Sequence, residues 1–189
     1  MTSVLVTGAT GNVGSQMVQE LGTRGETVRV FVRDADRAAR MFGEGVELAS
    51  GDFSDAASVR RAAEGVEAVF LACSNQPRQV EYETCVIDAA KAAGVRWIVK
   101  LSALGAEVGS PVASWDWHGR IEEHLQASGV PSVVLRPTFS MTNLFGSAEA
   151  IEHTSMLFLP ADGANVAMID HRDVAAAAAV ALTEEGHDG

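Results

Sequence analysis

Residues 7–14 read TGATGNVG and follow directly on the apolar run VLV at residues 4–6. That order describes a buried strand entering a tight turn that opens a helix. Gly8 permits the turn, Gly11 lets the backbone approach a ligand with no side chain in the way, and Gly14 lets the helix pack closely on the strand. A helix N-terminus carries unpaired N–H groups and the positive end of the helix dipole, so such a turn suits a pyrophosphate. Glycine triplets also occur as plain loop punctuation, and the flanks select between the two readings. Val13, Met17 and Leu21 recur at the spacing of one buried helix face before Gly22. The stretch therefore predicts a dinucleotide-binding unit with Gly8, Thr10, Gly11, Asn12, Val13 and Gly14 against the cofactor.

Outward from this unit, apolar strand candidates alternate with helical ones. Strands are predicted at residues 4–7, 28–32, 46–49, 68–72, 97–101 and 132–135, with a shorter one at 166–169. Helices are predicted over residues 12–21, 56–63, 81–93, 116–128 and 172–183, and Gly94 and Gly129 follow two of them where a left-handed cap is expected. The alanine run at 175–179 favours helix. This beat predicts an α/β fold, a doubly wound, mostly parallel sheet with flanking helices, as one dinucleotide-binding domain over residues 1–189.

Composition agrees. A chain of 189 residues with 47% hydrophobic residues can bury a full core. It has neither an apolar run long enough to span a bilayer nor a basic leader before the first strand, so a cytoplasmic protein without membrane contact is expected. Cys73 and Cys85 are too few for a disulfide framework and read as reduced, buried thiols. The formal charge of −11, with no basic cluster, argues against direct nucleic-acid binding.

TGATGNVG, VFVRD at Arg33, GDFSD at Asp52, VKLSALGA at Ser102, SGVPSVVLRPTF at Pro137 and VAMIDHRDVA at Asp173 occur in this order along nearly the whole chain. Together they resemble the NmrA-like group of atypical short-chain dehydrogenases/reductases. The resemblance implies an extended Rossmann fold that binds NADP(H) or NAD(H), some members being quinone, carbonyl or biosynthetic reductases and others redox sensors. It also implies a smaller, mainly helical substrate lobe after the helix that follows HRDVA, whereas this sequence stops at Gly189. Two expectations follow: a naturally short form with an open substrate edge, completed by another subunit of a homo-oligomer, or a fragment of a longer protein.

Cofactor choice turns on the end of the second strand, where a carboxylate selects the ribose 2′-hydroxyl of NAD(H) and a cation the 2′-phosphate of NADP(H). Arg33 stands there and offers paired hydrogen bonds to phosphate, so NADP(H) is favoured. Asp34 comes next, and a one-residue shift of the strand end would make it the ribose carboxylate, leaving NAD(H) as the alternative. The family pattern places Asp52 on the adenine amino group and Phe53 beside the ring; otherwise the pair is an Asx-type turn with a core aromatic. Ala72, Cys73 and Ser74 close the fourth strand at the ligand-binding edge, and Pro137 and Thr138 bound the nicotinamide.

For catalysis, the resemblance implies a serine after the fifth strand, then a tyrosine with a lysine four residues later. Ser102 matches the serine, while His118 stands at the lysine position and Ser114 at the tyrosine position. Tyr82, the only tyrosine, is far upstream and is given no role. His118 is read either as a proton or hydrogen-bond donor to substrate or as a helix-surface histidine near ribose or solvent. Trp115 and Trp117 are candidates for walling an aromatic substrate site or for packing. Lys100 reads as a structural charge at the sheet end. His118 and His124, six apart, do not share a helix face, so no metal is expected, and no GxSxG marks a hydrolase. The expected function is NAD(P)H-dependent hydride transfer to a small molecule, a quinone or aromatic carbonyl; the alternative is a non-catalytic dinucleotide sensor acting through a partner protein.

Overall fold

The computed structural model of the chain describes residues 2–157, 163, 165–184 and 186–187. Its strands are β1 (Ser3–Val6), β2 (Thr27–Val32), β3 (Glu47–Ser50), β4 (Ala68–Leu71), β5 (Trp97–Leu101), β6 (Ser132–Leu135), β7 (Phe139–Ser140) and β8 (Met168–Ile169). The helices are α1 (Asn12–Thr23), α2 (Ala35–Phe42), α3 (Ala56–Ala63), α4 (Gln79–Ala93), α5 (Ala113–Ser128), α6 (Ala148–Thr154) and α7 (His171–Thr183). The first six strands form one parallel sheet in the order β3-β2-β1-β4-β5-β6, as the alternating sequence pattern requires. Strand order reverses between β1 and β4, which opens a crevice beyond their carboxyl ends. Thr7 fixes the width of that crevice: its buried hydroxyl donates to the Ala72 carbonyl and accepts from the Ala72 amide, both at 2.9 Å.

Period-two alternation divides the core between the sheet's faces. Val4, Val6, Phe70 and Val99 pack on one side with Met17 and Leu21 of α1 and with Ala178, Ala179 and Leu182 of α7. Leu5, Val69, Leu71 and Ile98 pack on the other with Val59, Val86, Ile121 and Leu125 of α3 to α5. Strands covered on both faces read as unbroken apolar runs, and the AVFL of β4 is buried throughout. The alanine run in α7 does more than favour helix, because Ala175, Ala178 and Ala179 are fully buried and their small side chains allow close approach to the sheet. Gly94 and Gly129 cap α4 and α5 in the left-handed conformation, both at φ 73°.

Several elements differ from the sequence reading. Helix α2 was not anticipated: it is only eight residues long, and although Ala35, Ala38 and Phe42 share one face, the rest is mostly charged and Ala38 is its one buried residue. Its signal is Asp34, whose carboxylate caps the helix by accepting from the Arg37 amide at 2.8 Å. Strand β8 falls within the short strand expected at residues 166–169 but holds only two residues, whereas the two-residue β7 was not anticipated; they pair with one another outside the main sheet. Helix α6 was likewise unforeseen, none of its residues being buried. Among the described residues no helix is long and apolar enough to cross a membrane.

Candidate cofactor trough and active site

A trough of about 910 Å³ lies over the crevice between β1 and β4. Gly8, Thr10, Gly11, Asn12, Val13, Gly14, Arg33, Asp52, Phe53, Ala72, Cys73 and Ser74 all line it, so the fold brings together residues from four strand ends. Two glycines are required by the geometry. Gly8 has φ +63°, and a Cβ there would stand 2.9 Å from the Ala72 carbonyl oxygen; a Cβ on Gly14 would stand 2.2 Å from the Gly8 carbonyl oxygen. Helix α1 has no side-chain cap at Gly11, so its first amides are free to meet an anion. A bare turn, an uncapped helix start and a long trough suit a dinucleotide.

At one end of the trough stand two arginines, Arg33 and Arg37, the second missed by the sequence reading because it lies in the unforeseen α2. Asp34 is not part of the lining, since its carboxylate is engaged as the α2 cap. The one-residue shift that would have made it a ribose ligand does not occur, because β2 ends at Val32. Asp52 makes the Asx turn considered as its alternative, accepting from the Ser54 amide at 2.8 Å and hydroxyl at 2.6 Å. Those bonds, with the Arg33 and Arg78 charges beyond them, hold its carboxyl below the usual range. Phe53 stacks on Tyr82 with centroids 5.8 Å apart and meets the edge of Phe31 at 5.4 Å, while the Arg78 guanidinium lies 4.8 Å from the Tyr82 centroid. Tyr82 is therefore a lining residue after all, carried to Phe53 by α4. Only the folded topology joins these two, so nothing local in the sequence marks it.

The trough continues into a smaller cavity of about 310 Å³ lined by Ser102, His118, Pro137 and Thr138, with Val13, Cys73 and His171 shared between the two spaces. Neither Trp115 nor Trp117 lines either cavity; Trp115 instead packs so closely on Gly105 that a Cβ there would meet its ring at 2.5 Å. Ser102 Oγ donates to Glu122 Oε1, and Glu122 is in turn held by Arg136 through both carboxylate oxygens. The single hydroxyl proton of Ser102 is thus engaged, and its oxygen faces a ligand as an acceptor. The Cys73 thiol, pushed up by burial, stays protonated, and both cysteines are free.

His118 is buried, 6% exposed, which rules out the helix-surface reading. Lys100 is fully buried rather than a charge at the sheet end: it alternates with Val99 and Leu101, shares the inner face of Ile98, and meets α4 and α5. Its ammonium lies 2.6 Å from Glu83 Oε2, 2.7 Å from the Leu101 carbonyl and 3.2 Å from His118 Nδ1. Burial, reinforced by the Lys100 charge and only opposed by Glu122, pushes His118 down to about 4. A group depressed in the folded state contributes stability that is fully present above its unfolded pKa. That stability is lost as pH falls from about 6.5 toward 4, on the order of 3 kcal/mol in all. Urea unfolding of His118→Asn across this window is expected to lose stability less steeply than the parent; an unchanged slope would mean that the native ring protonates freely.

The sequence profile described as NAD(P)H-binding matches residues 8–185. The NAD(P)H azoreductase of Xenophilus azovorans is 36% identical over 98% of this chain and 65% of its own length. The (4-alkanoyl-5-oxo-2,5-dihydrofuran-3-yl)methyl phosphate reductase of Streptomyces griseus subsp. griseus is 41% identical over the same shares, 98% and 65%. The chain thus spans about two thirds of the length of these relatives. Among solved structures, the NADPH-dependent quinone oxidoreductase of Escherichia coli in complex with NADPH superposes with a TM-score of 0.86 at 33% identity, over 98% of this chain and 66% of the other. With the switch-point trough, the glycine turn and these likenesses together, the chain belongs to the NAD(P)H-binding family, in the NmrA-like group of atypical short-chain dehydrogenases/reductases.

Proposed function

We propose that this protein is an NADPH-dependent reductase that passes a hydride to a quinone or a related conjugated carbonyl compound in the cavity beside Ser102 and His118. The observation that carries this reading is the continuity of the two spaces: a dinucleotide-sized trough opens directly into a smaller pocket walled by Leu101, Pro137, Phe139 and Ile169. A flat, uncharged acceptor suits such walls, and the named activities of the similar proteins, azo and quinone reduction among them, support it. The bound cofactor supplies the hydride; the chain binds, orients and excludes water. The α1 amides hold the pyrophosphate, Phe53, backed by Tyr82, lies beside the adenine, and Arg33 with Arg37 take the 2′-phosphate. Pro137 and Thr138 border the nicotinamide. Quinone reduction produces a weakly basic oxyanion, so a hydrogen-bond donor at His118 and a proton from water suffice where a strong protein acid is missing.

Two observations favour the sensor reading: the Ser102 proton is held by Glu122, and Ser114 stands where a tyrosine would donate. Calorimetric titration with NADPH and NADH, followed by a quinone panel monitored by loss of reduced-cofactor absorbance, separates the two. The expected result is tighter binding of NADPH, with turnover. Removing one charge-assisted phosphate contact costs roughly 1.5–3 kcal/mol, so Arg37→Ala is expected to weaken NADPH about tenfold or more and NADH little. Binding without turnover would favour the sensor, and equal losses for both cofactors would remove Arg37 from the phosphate.

A further inference from the structure

His118, which walls the small cavity, belongs to a buried polar cluster whose other members the reductase reading does not use. Gln79 and Glu83 come from α4, Lys100 from β5 and His118 from α5, and none is more than 6% exposed. Lys100 and Glu83 form an ion pair at 2.6 Å with both side chains fully buried. Burial drives the Glu83 carboxyl up, while the Lys100 ammonium and the Gln79 amide draw it back. Because Lys100 is the counter-charge of Glu83 it carries three N–H groups, and it has no lone pair to offer His118. Its 3.2 Å contact with Nδ1 therefore makes Nδ1 the acceptor and places the ring proton on Nε2.

The one polar neighbour of Nε2 among the described residues is the Gln79 amide nitrogen, 3.5 Å away. That nitrogen donates to Glu83 Oε1 at 2.8 Å, so turning the amide round would set oxygen against oxygen. A donor at this distance cannot satisfy another donor. The His118 N–H is thus left with no acceptor among the described residues, on a residue that walls the small cavity.

We infer that Lys100 and Glu83 are positioning residues which lock His118 as the neutral Nε2–H tautomer, presenting an unspent hydrogen-bond donor to the substrate oxygen that gains charge. This rests on the reductase reading for its substrate but not for its tautomer. A donor fixed by a buried cation needs no reorientation when the oxyanion forms, and the positive charge behind the ring strengthens it. The other ionisable groups about His118 are Glu122, on the same helix and occupied by Ser102 and Arg136, with Cys73 and His171 across the cavity.

The test is long-range ¹H–¹⁵N correlation on the full chain, histidine-labelled and saturated with NADPH, between pH 5 and 8, with His118 assigned from the His118→Asn spectrum. The parent is expected to show an Nε2–H pattern that does not change over this range. The doubly neutral Lys100→Met/Glu83→Gln variant, which removes both charges at once, is expected to show mixed tautomers and titration nearer 6.5, and Lys100→Arg to restore the parent pattern. An Nδ1–H ring or an imidazolium near pH 6 in the parent, or a double variant indistinguishable from it, would overturn the proposal. With a quinone, the double variant is expected to lose at least tenfold in kcat with NADPH affinity unchanged; an unchanged kcat would also overturn it. Absence of turnover in the parent would sink the reductase reading, while the spectra would still decide the tautomer.

Discussion

Gly14→Ala is expected to abolish measurable NADPH binding and to destabilise the fold. The added Cβ would stand 2.2 Å from the Gly8 carbonyl oxygen, 2.7 Å from its carbon and 2.8 Å from the Ala9 Cα, all backbone atoms of the turn itself. No side chain can swing aside, so either α1 backs away from β1 or the turn deforms. The first disturbs the packing of Met17 and Leu21, both fully buried, and overpacking of this kind costs about 1–3 kcal/mol. The second moves the α1 amides that would meet the pyrophosphate, and misplacing several donors together removes far more affinity than deleting one. Gly22→Ala is the control: it lies in the same helix with nothing within 4 Å of its Cβ, and is expected to gain roughly 0.5–1 kcal/mol. Thermal melts and calorimetric titration of both variants check this. If Gly14→Ala binds as the parent does, the turn is not the phosphate site.

The contrast between these two glycines also indicates what could be read from sequence. Gly14 was legible because it belongs to a local pattern, strand then turn then helix, whose physics is contained in a dozen residues. The same holds for the six strands of the main sheet, whose apolar runs are long enough to carry a signal, and for Gly94 and Gly129 as caps. Arg33, Asp52 and Ser74 could be placed because strand ends in a doubly wound sheet converge on one edge. What escaped was either short and poor in apolar residues or non-local. Helix α2 buries only Ala38, so Arg37 had no context. Tyr82 meets Phe53 only through the packing of α4 beyond the ends of β3 and β4. Lys100 was misread although its alternation with Val99 and Leu101 put it on the Ile98 face; a lysine in a buried strand invites the sheet-end reading until its counter-charge on α4 is known.

That counter-charge makes the remaining prediction the most damaging to the fold. Lys100→Met alone leaves Glu83 fully buried beside the Gln79 amide and no cation, and breaking a buried pair from one side typically costs about 3–5 kcal/mol. For a chain of 189 residues, in which 1 kcal/mol shifts the midpoint by about 2–4 °C, this is roughly a 10 °C fall in Tm. Glu83→Gln alone strands the ammonium in the same way, although the Leu101 carbonyl at 2.7 Å still accepts from it, so its loss is expected to be the smaller of the two. Lys100→Met combined with Glu83→Gln removes both charges and keeps most of the volume. Since desolvating two ions offsets much of their attraction, the double variant is expected to lie closer to the parent than Lys100→Met does. Urea unfolding of the four proteins measures the coupling directly. Additive losses would mean that the two side chains do not interact as a charged pair, and the pattern expected here, one severe single variant partly rescued by the second, would assign the cost to an uncompensated buried charge rather than to lost packing.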